Sequence, residues 1–443
     1  MKVSVTNKDI IRLAAPISLA LFIPQISFLA NTAFLGRLGE KELGVNGLAG
    51  IFYLTLAMIG NGLNGGLNVQ LSRRAGEGDT EGLTKVFSNG ILLALAFSLG
   101  MMMVSLWLTP LIFGYSLNSG ENAYLSIRFL YTRVWGLPFL MLTQLINAFF
   151  IATRQSRYLI WGSLFNAALN ILFDYLLIFG NHGFPEWGLQ GAAVASVIAE
   201  AGFCFVMYGI FYFKRLYTTY PIHRFFAFDP KLSRRSLKVS APLVVQYLFS
   251  IGGWQVFFIY IEHLGQKELA ASQILRSIFG IVSIGTWAFA STCNTMVSNI
   301  IGQGLQDKVM SLIKKVAKLS FLYTIVVGAL LLIFSEQFLA LYRNDPQLIA
   351  FSIPSLQIIV AATLIMSVST VAFNGVIGTG NTMINLIMEV CCVCTYLVYC
   401  YIMIERLRLG LEWAWVSEFV YWTSLLIAAV AYLKTGRWKG KKV

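Results

Sequence analysis

Four acidic residues stand inside long apolar stretches of this sequence, namely Asp174, Glu200, Glu389 and Glu418. An acidic side chain at the centre of a membrane helix costs about 2.5–3.5 kcal/mol on insertion scales, so each such residue is a candidate for function. A carboxylate in an apolar environment can bind a cation or hold a proton. The chemistry that these positions suggest is therefore ion binding.

Two of these carboxylates, Asp174 and Glu200, lie near other polar residues in predicted helices. Asn166, Asn170 and Asp174 are four residues apart, which places all three side chains on one face of a helix, and Ser196 and Glu200 lie in the next predicted helix. At ~1.5 Å rise per residue, Asp174 lies ~9 Å from the predicted outer end of its helix, and Ser196 and Glu200 lie ~12 and ~18 Å from theirs. We expect these side chains to meet and to bind Na⁺ or a proton.

Asn31, near the outer end of the first predicted helix, joins this group if that helix packs in the same half of the protein. The alternative is a hydrogen-bonded network that only ties helices together. The second half of the chain repeats the first. This internal repeat favours the functional interpretation, because it aligns Asp174 with Cys400 and Asn170 with Tyr396. The second half therefore folds without the polar pair, and the site is specific to the first half.

The composition defines the elements that hold these residues. Hydrophobic residues make up 57% of the 443 residues and charged residues 12%, whereas an average soluble domain has about 25% charged residues. Runs of roughly 20 apolar residues, enough for one helical crossing, recur along the chain, and residues 90–108 lack the alternation of barrel strands. We predict an all-α integral membrane protein with about twelve transmembrane helices, at 10–34, 44–71, 88–113, 123–151, 158–180, 188–213, 238–262, 270–300, 316–340, 350–377, 383–405 and 411–433.

The net charge of +13 is explained by topology. If the N-terminus is cytoplasmic, the six inward segments hold 24 of the 33 Lys and Arg and the six outward segments hold six. This asymmetry follows the positive-inside rule, so no nucleic-acid partner is expected and both termini are predicted to be cytoplasmic. The remaining three, Arg128, Arg133 and Arg276, fall inside predicted helices.

The chain matches itself without a gap when one half is laid on the other. Six helices per half, an even number, give both halves the same orientation, related by a pseudo-twofold axis along the membrane normal, which is a transporter architecture with alternating access. We predict an N-lobe at 1–213, a cytoplasmic linker at 214–237 and a C-lobe at 238–443. The matching segments are Ala15-Pro16 with Ala241-Pro242, Leu38-Gly39 with Leu264-Gly265, Lys41-Glu42-Leu43 with Lys267-Glu268-Leu269, and Gly76-x-Gly78 with Gly302-x-Gly304.

The second half carries its own charged residues inside predicted helices. We expect Glu389, Glu418 and Arg276 to line a substrate cavity or to pair with one another. The many aromatic and Met residues suit an adaptable apolar cavity for flat organic cations, and they suit lipid contact equally well.

Several segments in the same order along the chain resemble the multidrug and toxic compound extrusion (MATE) transporters, and the fifth helix looks most like the DinF-like branch. The resemblance implies two six-helix lobes and efflux of varied, often cationic compounds in exchange for Na⁺ or H⁺. The segments are Ala15-Pro16, Asn31 to Gly39, Gly76-Glu77-Gly78, Asn166 to Gly180, Gly191 to Ser196, and Gly378 to Thr382.

That branch has an N-lobe site formed by an Asp in helix 1, an Asn and an Asp four apart in helix 5, and a Thr in helix 6. Asn170 and Asp174 match the helix 5 pair, and Ser196 keeps the hydroxyl of the Thr. Asn31 replaces the helix 1 Asp, and an amide cannot accept a proton at physiological pH. The resemblance therefore implies that coupling depends on Asp174, with Glu200 as a second candidate.

We thus predict a secondary antiporter in a bacterial-type inner membrane, acting as a monomer on small molecules, with H⁺ or Na⁺ as coupling ion and no cofactor. A lipid-linked saccharide flippase of the same superfamily is the alternative, although those have about fourteen helices and a strongly cationic lumen. An enzyme is disfavoured because His182, His223 and His263 are scattered without metal-ligand spacing. No GxxxxGK[ST] loop is present to bind ATP.

Overall fold

In the computed structural model, which describes residues 2–117, 119–342 and 345–440, the chain is almost entirely helical and contains no strand within those ranges. Twelve helices there are long and apolar enough to cross a membrane, so the predicted all-α membrane fold is confirmed. Arg343, Lys441 and Lys442, which the charge count includes, lie outside the described residues.

The described part of the chain forms fifteen α-helices. They are α1 Asn7–Leu38, α2 Glu40–Glu77, α3 Thr80–Ser116, α4 Gly120–Arg133, α5 Leu137–Ala152, α6 Arg157–Phe179, α7 Gly188–Phe213, α8 Leu216–Thr219, α9 Pro230–Leu264, α10 Gln266–Gly302, α11 Val309–Ile333, α12 Ser335–Ala340, α13 Pro346–Gly378, α14 Thr382–Cys400 and α15 Leu411–Thr435.

One predicted crossing is divided between two helices. The sequence predicts a single span at 123–151, but α4 and α5 are separated by the 3-10 turn Val134–Gly136. Pro138 stands in the first turn of α5, where a missing N–H and a fixed φ are tolerated. In the interior of one continuous α-helix the same proline would remove a backbone hydrogen bond. This break lies beside Arg133.

The helices form two compact units, and the units do not divide at the predicted linker. The first consists of Leu19–Val244 and the second of Lys2–Ser18 with the chain from Val245 onward. Both α1 and α9 therefore change unit within a continuous helix. The predicted boundaries at 213 and 238 followed the basic linker, whereas packing assigns the N-terminal third of α1 to the second unit and the start of α9 to the first.

Hydrogen bonds and ring contacts within each unit support this division. Val3 N donates to Asn299 Oδ1 at 3.1 Å in the second unit, and Ser240 Oγ donates to the Leu63 carbonyl at 2.9 Å in the first. Each unit also has its own aromatic core, which includes Phe87 with Phe149 at 4.6 Å between ring centroids and Phe257 with Trp415 at 5.3 Å.

The repeat is visible in the backbone at matching glycines. Gly39, the single residue between α1 and α2, has φ 157°, and its counterpart Gly265 between α9 and α10 has φ 147°. Gly78 and Gly304 match likewise, with φ 77° and 78°. Residues with a Cβ atom disfavour positive φ, so both copies of the repeat use glycine at these chain reversals.

Candidate ion-binding site

Asp174 is the central carboxylate of the first unit, and it is completely buried. Asn31 of α1 donates from Nδ2 to Asp174 Oδ2 at 3.0 Å, and Asn46 of α2 donates to Asn31 Oδ1 at 3.4 Å. The other carboxylate oxygen, Asp174 Oδ1, is buried without a hydrogen-bond partner. The side chain that replaces the family's helix 1 acid thus holds one oxygen of Asp174 and leaves the other free for a ligand.

A second polar contact lies one helical turn away. Ser27 Oγ donates to Asn170 Oδ1 at 2.8 Å, and Asn170 Nδ2 donates to Ser196 Oγ of α7 at 3.2 Å. Ser27 precedes Asn31 by four residues on α1, just as Asn170 precedes Asp174 on α6, so two rungs join the same pair of helices. Asn166, one turn further, has a buried Oδ1 with no partner.

The structure therefore brings Asn31, Asn170, Asp174 and Ser196 together across α1, α6 and α7. Their oxygen atoms are hard ligands, which suit Na⁺, and Asp174 is the one group among them that can take up a proton. The negative charge of Asp174 can therefore be neutralised either by Na⁺ or by a proton.

Glu200 lies in a different cluster, although the spacing predicted it at the same site. Arg133 Nη2 is 3.0 Å from Glu200 Oε1, with the two side chains 14% and 15% exposed. Tyr53 donates its hydroxyl to Glu200 Oε2 at 2.7 Å. The guanidinium carbon of Arg133 lies 3.8 Å from the centroid of the Tyr53 ring. Glu200 is thus neutralised by a residue of its own unit.

Position along the helices explains the separation. Because successive membrane helices run in opposite directions, the C-terminal end of α6 and the N-terminal end of α7 lie at the same membrane face. At ~1.5 Å per residue, Asp174 is about 8 Å from that end of α6, whereas Glu200 is about 18 Å from that end of α7. Gly136, in the turn after Arg133, provides the space that Glu200 occupies, because a Cβ there would collide with the Glu200 carboxylate.

The charges of the two clusters leave one negative charge uncompensated. Arg133 balances Glu200, and no ion pair of Asp174 occurs among the described residues. The Nη1 of Arg133 has no hydrogen-bond partner. Asp174 is thus a buried carboxyl group of the first unit with no ion-pair partner among the described residues, and a group of this kind is a candidate for binding a proton or a cation.

The charged residues predicted for the substrate cavity lie inside the second unit and are not joined to one another there. Glu389 and Glu418 are 1% and 2% exposed. Glu418 accepts a hydrogen bond from Trp422 Nε1 at 2.8 Å, and the guanidinium of Arg276 lies 5.1 Å from the ring centroid of Phe258. No ion pair links the three within the described part of the chain.

Four residues of these clusters were not among the sequence candidates: Ser27, Asn46, Tyr53 and Arg133. A signal existed for two of them. Ser27 has the four-residue spacing to Asn31, and Arg133 is a basic residue inside an apolar run, which requires an acidic partner. Tyr53 is one of 19 tyrosines, and nothing in its spacing distinguishes it.

Two repeated helical units with a buried carboxylate among amides and hydroxyls define a membrane transporter built from parallel repeats. The MatE family model matches residues 16–176 and again residues 242–402, and the chain belongs to this family. The second match begins and ends 226 residues after the first, which confirms the repeat. The family consists of transporters, so the prediction that the chain is not an enzyme is confirmed.

Relatives and solved structures agree with this assignment. The chain is 23% identical over 450 residues to a probable multidrug resistance protein NorM of Thermotoga maritima, covering 99% of this chain and 94% of that protein. It is 25% identical over 349 residues to a probable NorM of Synechocystis sp., covering 76% and 74%. An outward-facing multidrug resistance MATE family transporter of the MOP superfamily has the same fold, with TM-score 0.88 and 19% identity over 97% of this chain and 95% of that one.

Proposed function

We propose that this protein is a secondary active antiporter that exports small, often cationic organic compounds in exchange for H⁺ or Na⁺. The family and the multidrug resistance relatives support multidrug efflux as the class of activity. The observation that carries the coupling assignment is the buried Asp174, whose Oδ1 has no partner and whose charge no neighbouring cation balances.

Coupling requires that ion binding favours one arrangement of the helices over another. Asp174 and Asn170 on α6 contact Asn31 and Ser27 on α1, so the rungs between these helices depend on the charge at Asp174. A proton or Na⁺ at Asp174 Oδ1 removes the uncompensated charge and stabilises this packing. When the ion leaves, the carboxylate needs water or another cation, which favours an open site.

We further propose that the protein is a monomer in a bacterial-type plasma membrane with both termini in the cytoplasm. The excess of Lys and Arg in alternate loops supports this orientation, because basic residues near membrane helices remain on the cytoplasmic side. Cysteine labelling near either terminus, in cells and after permeabilisation, tests it.

The test of coupling uses purified protein in liposomes, a fluorescent organic cation and an imposed H⁺ or Na⁺ gradient. Asp174→Asn should abolish the acceleration that the gradient gives to transport, because the amide cannot exchange a proton or balance a cation. Asp307→Asn is the matched control, since the Asp307 side chain is 93% exposed, and should behave like the parent. Equal gradient-driven transport by Asp174→Asn and the parent would overturn the assignment.

A survival screen over chemically varied toxic compounds, in a host lacking its own efflux pumps, separates drug export from the flippase alternative. Export predicts resistance to several unrelated organic cations. A protein that restores envelope synthesis to a flippase-deficient strain and gives no resistance would instead be a flippase.

A further inference from the structure

The second unit contains a buried carboxyl group in a polar cluster of its own. Glu389 of α14 is 1% exposed. The Ser250 hydroxyl of α9 contacts Glu389 Oε1, and the Tyr421 hydroxyl of α15 donates to the same oxygen at 2.8 Å. One turn earlier on both helices, Asn385 Nδ2 donates to Gln246 Oε1 at 2.7 Å. Two polar rungs therefore join α9 to α14.

These rungs are not copies of the ones around Asp174. The 226-residue shift between the repeats aligns Glu389 with Ser163 and Gln246 with Ala20. In the first unit, Ser163 Oγ donates to the Ala20 carbonyl at 3.0 Å, so a hydroxyl is sufficient to join the two helices at that level. A carboxyl group at position 389 is therefore not required by the packing of the repeat.

The charge of Glu389 has no counter-ion. Among the described residues its contacts are hydroxyl groups, and no Lys, Arg or His pairs with it. The titratable groups that face it are Tyr247, Tyr421 and Cys392, none of which is a cation, and α13, which packs against α14, carries no titratable side chain. An unpaired carboxylate at such a position is costly, and Glu200 in the first unit avoids that cost through Arg133.

The hydrogen bonds around Glu389 fit a protonated carboxyl group. Ser250 Oγ lies 3.1 Å from the Gln246 carbonyl, a bond from a serine to the residue four before it that is common in membrane helices. A serine has one hydroxyl hydrogen, and a backbone carbonyl only accepts. That hydrogen cannot serve the Gln246 carbonyl and Glu389 Oε1 at once, although Ser250 Oγ contacts both. A protonated Glu389 donates to Ser250 and accepts from Tyr421, which satisfies all three contacts.

We propose that Glu389 is a second proton-binding site, in the second unit and independent of Asp174. Asn385 Oδ1, completely buried and without a partner, is a further hydrogen-bond acceptor one turn from this site.

Infrared difference spectroscopy of the full-length protein near neutral pH tests this without relying on transport. The spectrum of Asp174→Asn should contain the carbonyl band of protonated carboxyl groups, and Asp174→Asn/Glu389→Gln should lack the component that Glu389 contributes, while buried Glu418, which has no ion pair among the described residues either, keeps its own component. Asp174→Asn/Glu405→Gln is the matched control and should retain both components, because Glu405, on the turn after α14, contacts His263 at an exposed position. Ser250→Ala and Tyr421→Phe, each in the Asp174→Asn protein, should shift the band by removing one hydrogen bond.

Three results would overturn the proposal: a band that survives Glu389→Gln at full intensity, a band that neither Ser250→Ala nor Tyr421→Phe moves, or Na⁺ binding at fixed pH that Glu389→Gln abolishes. The two hydrogen-bonding variants leave the carboxyl group in place, so they decide the matter even if Glu389→Gln does not fold. A failure of gradient-driven transport in liposomes would count against coupling at Asp174 and leave the band assignment unaffected.

Discussion

Replacing Arg133 with Gln removes the positive charge that faces Glu200 and keeps a polar side chain in its place. Removing one partner of a buried ion pair costs about 3–5 kcal/mol, because the remaining charge stays buried without compensation. Both side chains are about 15% exposed, so partial solvation favours the lower end, about 3 kcal/mol. Since 1.4 kcal/mol is tenfold, the equilibrium between folded and unfolded protein should shift by roughly 150-fold.

The double variant Arg133→Gln/Glu200→Gln should recover most of this loss. Two amides can keep one hydrogen bond and leave no charge in the apolar interior, so we expect the double variant to unfold within about 1 kcal/mol of the parent. Glu200→Gln alone should be destabilised like Arg133→Gln, because it leaves the guanidinium unpaired over Tyr53.

Equilibrium unfolding by sodium dodecyl sulfate in mixed micelles, followed by tryptophan fluorescence, gives the four free energies of this cycle. Single losses of about 3 kcal/mol each and a double loss of about 1 kcal/mol correspond to a coupling free energy of about 5 kcal/mol, well above the error of additivity. If the two single losses add to within about 0.5 kcal/mol in the double variant, the ion pair does not neutralise Glu200 and the charge count of the first unit is wrong.

Three further substitutions test the same geometry. Asn31→Asp places a second carboxyl group against Asp174, and two carboxylates in one site cannot both stay ionised without a cation. One more ion should therefore move per substrate molecule. An ion-to-substrate stoichiometry equal to the parent's in reconstituted vesicles would contradict this. Gly136→Ala adds a Cβ that collides with the neighbouring carboxylate and should lower the unfolding free energy by about 1–3 kcal/mol, whereas Gly114→Ala, with open space around the added atom, should not destabilise. Gly78→Ala should cost about 1 kcal/mol because of its φ of 77°, and an unfolding midpoint equal to the parent's would show that this turn relaxes.

Much of the ion site could be predicted because its order along each helix is local. The spacing of four between Asn170 and Asp174 fixes a common face, and the repeat showed that the second unit does without them. The contact of Asn31 with Asp174 depended on helix packing, which the family resemblance implied. The pairing of Glu200 with Arg133 was missed because spacing along α7 does not show which of its neighbours, α4, α5 or α6, supplies the partner of that carboxylate.

Helix limits and unit limits differed from expectation for separate physical reasons. The span predicted at 44–71 is α2, Glu40–Glu77, because hydropathy marks the apolar run and the helix continues until Gly78 ends it. The unit boundary inside α1 leaves no sequence signal, since Ser18 and Leu19 stand in one uninterrupted helix and only packing assigns them differently.

The sharing of α1 and α9 between the units has a consequence for synthesis. A ribosome must deliver Val244 before the first unit is complete, and the second unit requires the residues that emerged first, Lys2–Ser18. A chain cut between α7 and α9 gives two fragments. The N-terminal fragment lacks the start of α9, which belongs to the first unit, and the C-terminal fragment lacks the start of α1, which belongs to the second. Neither piece should persist alone, and co-expressed fragments should survive only as a complex.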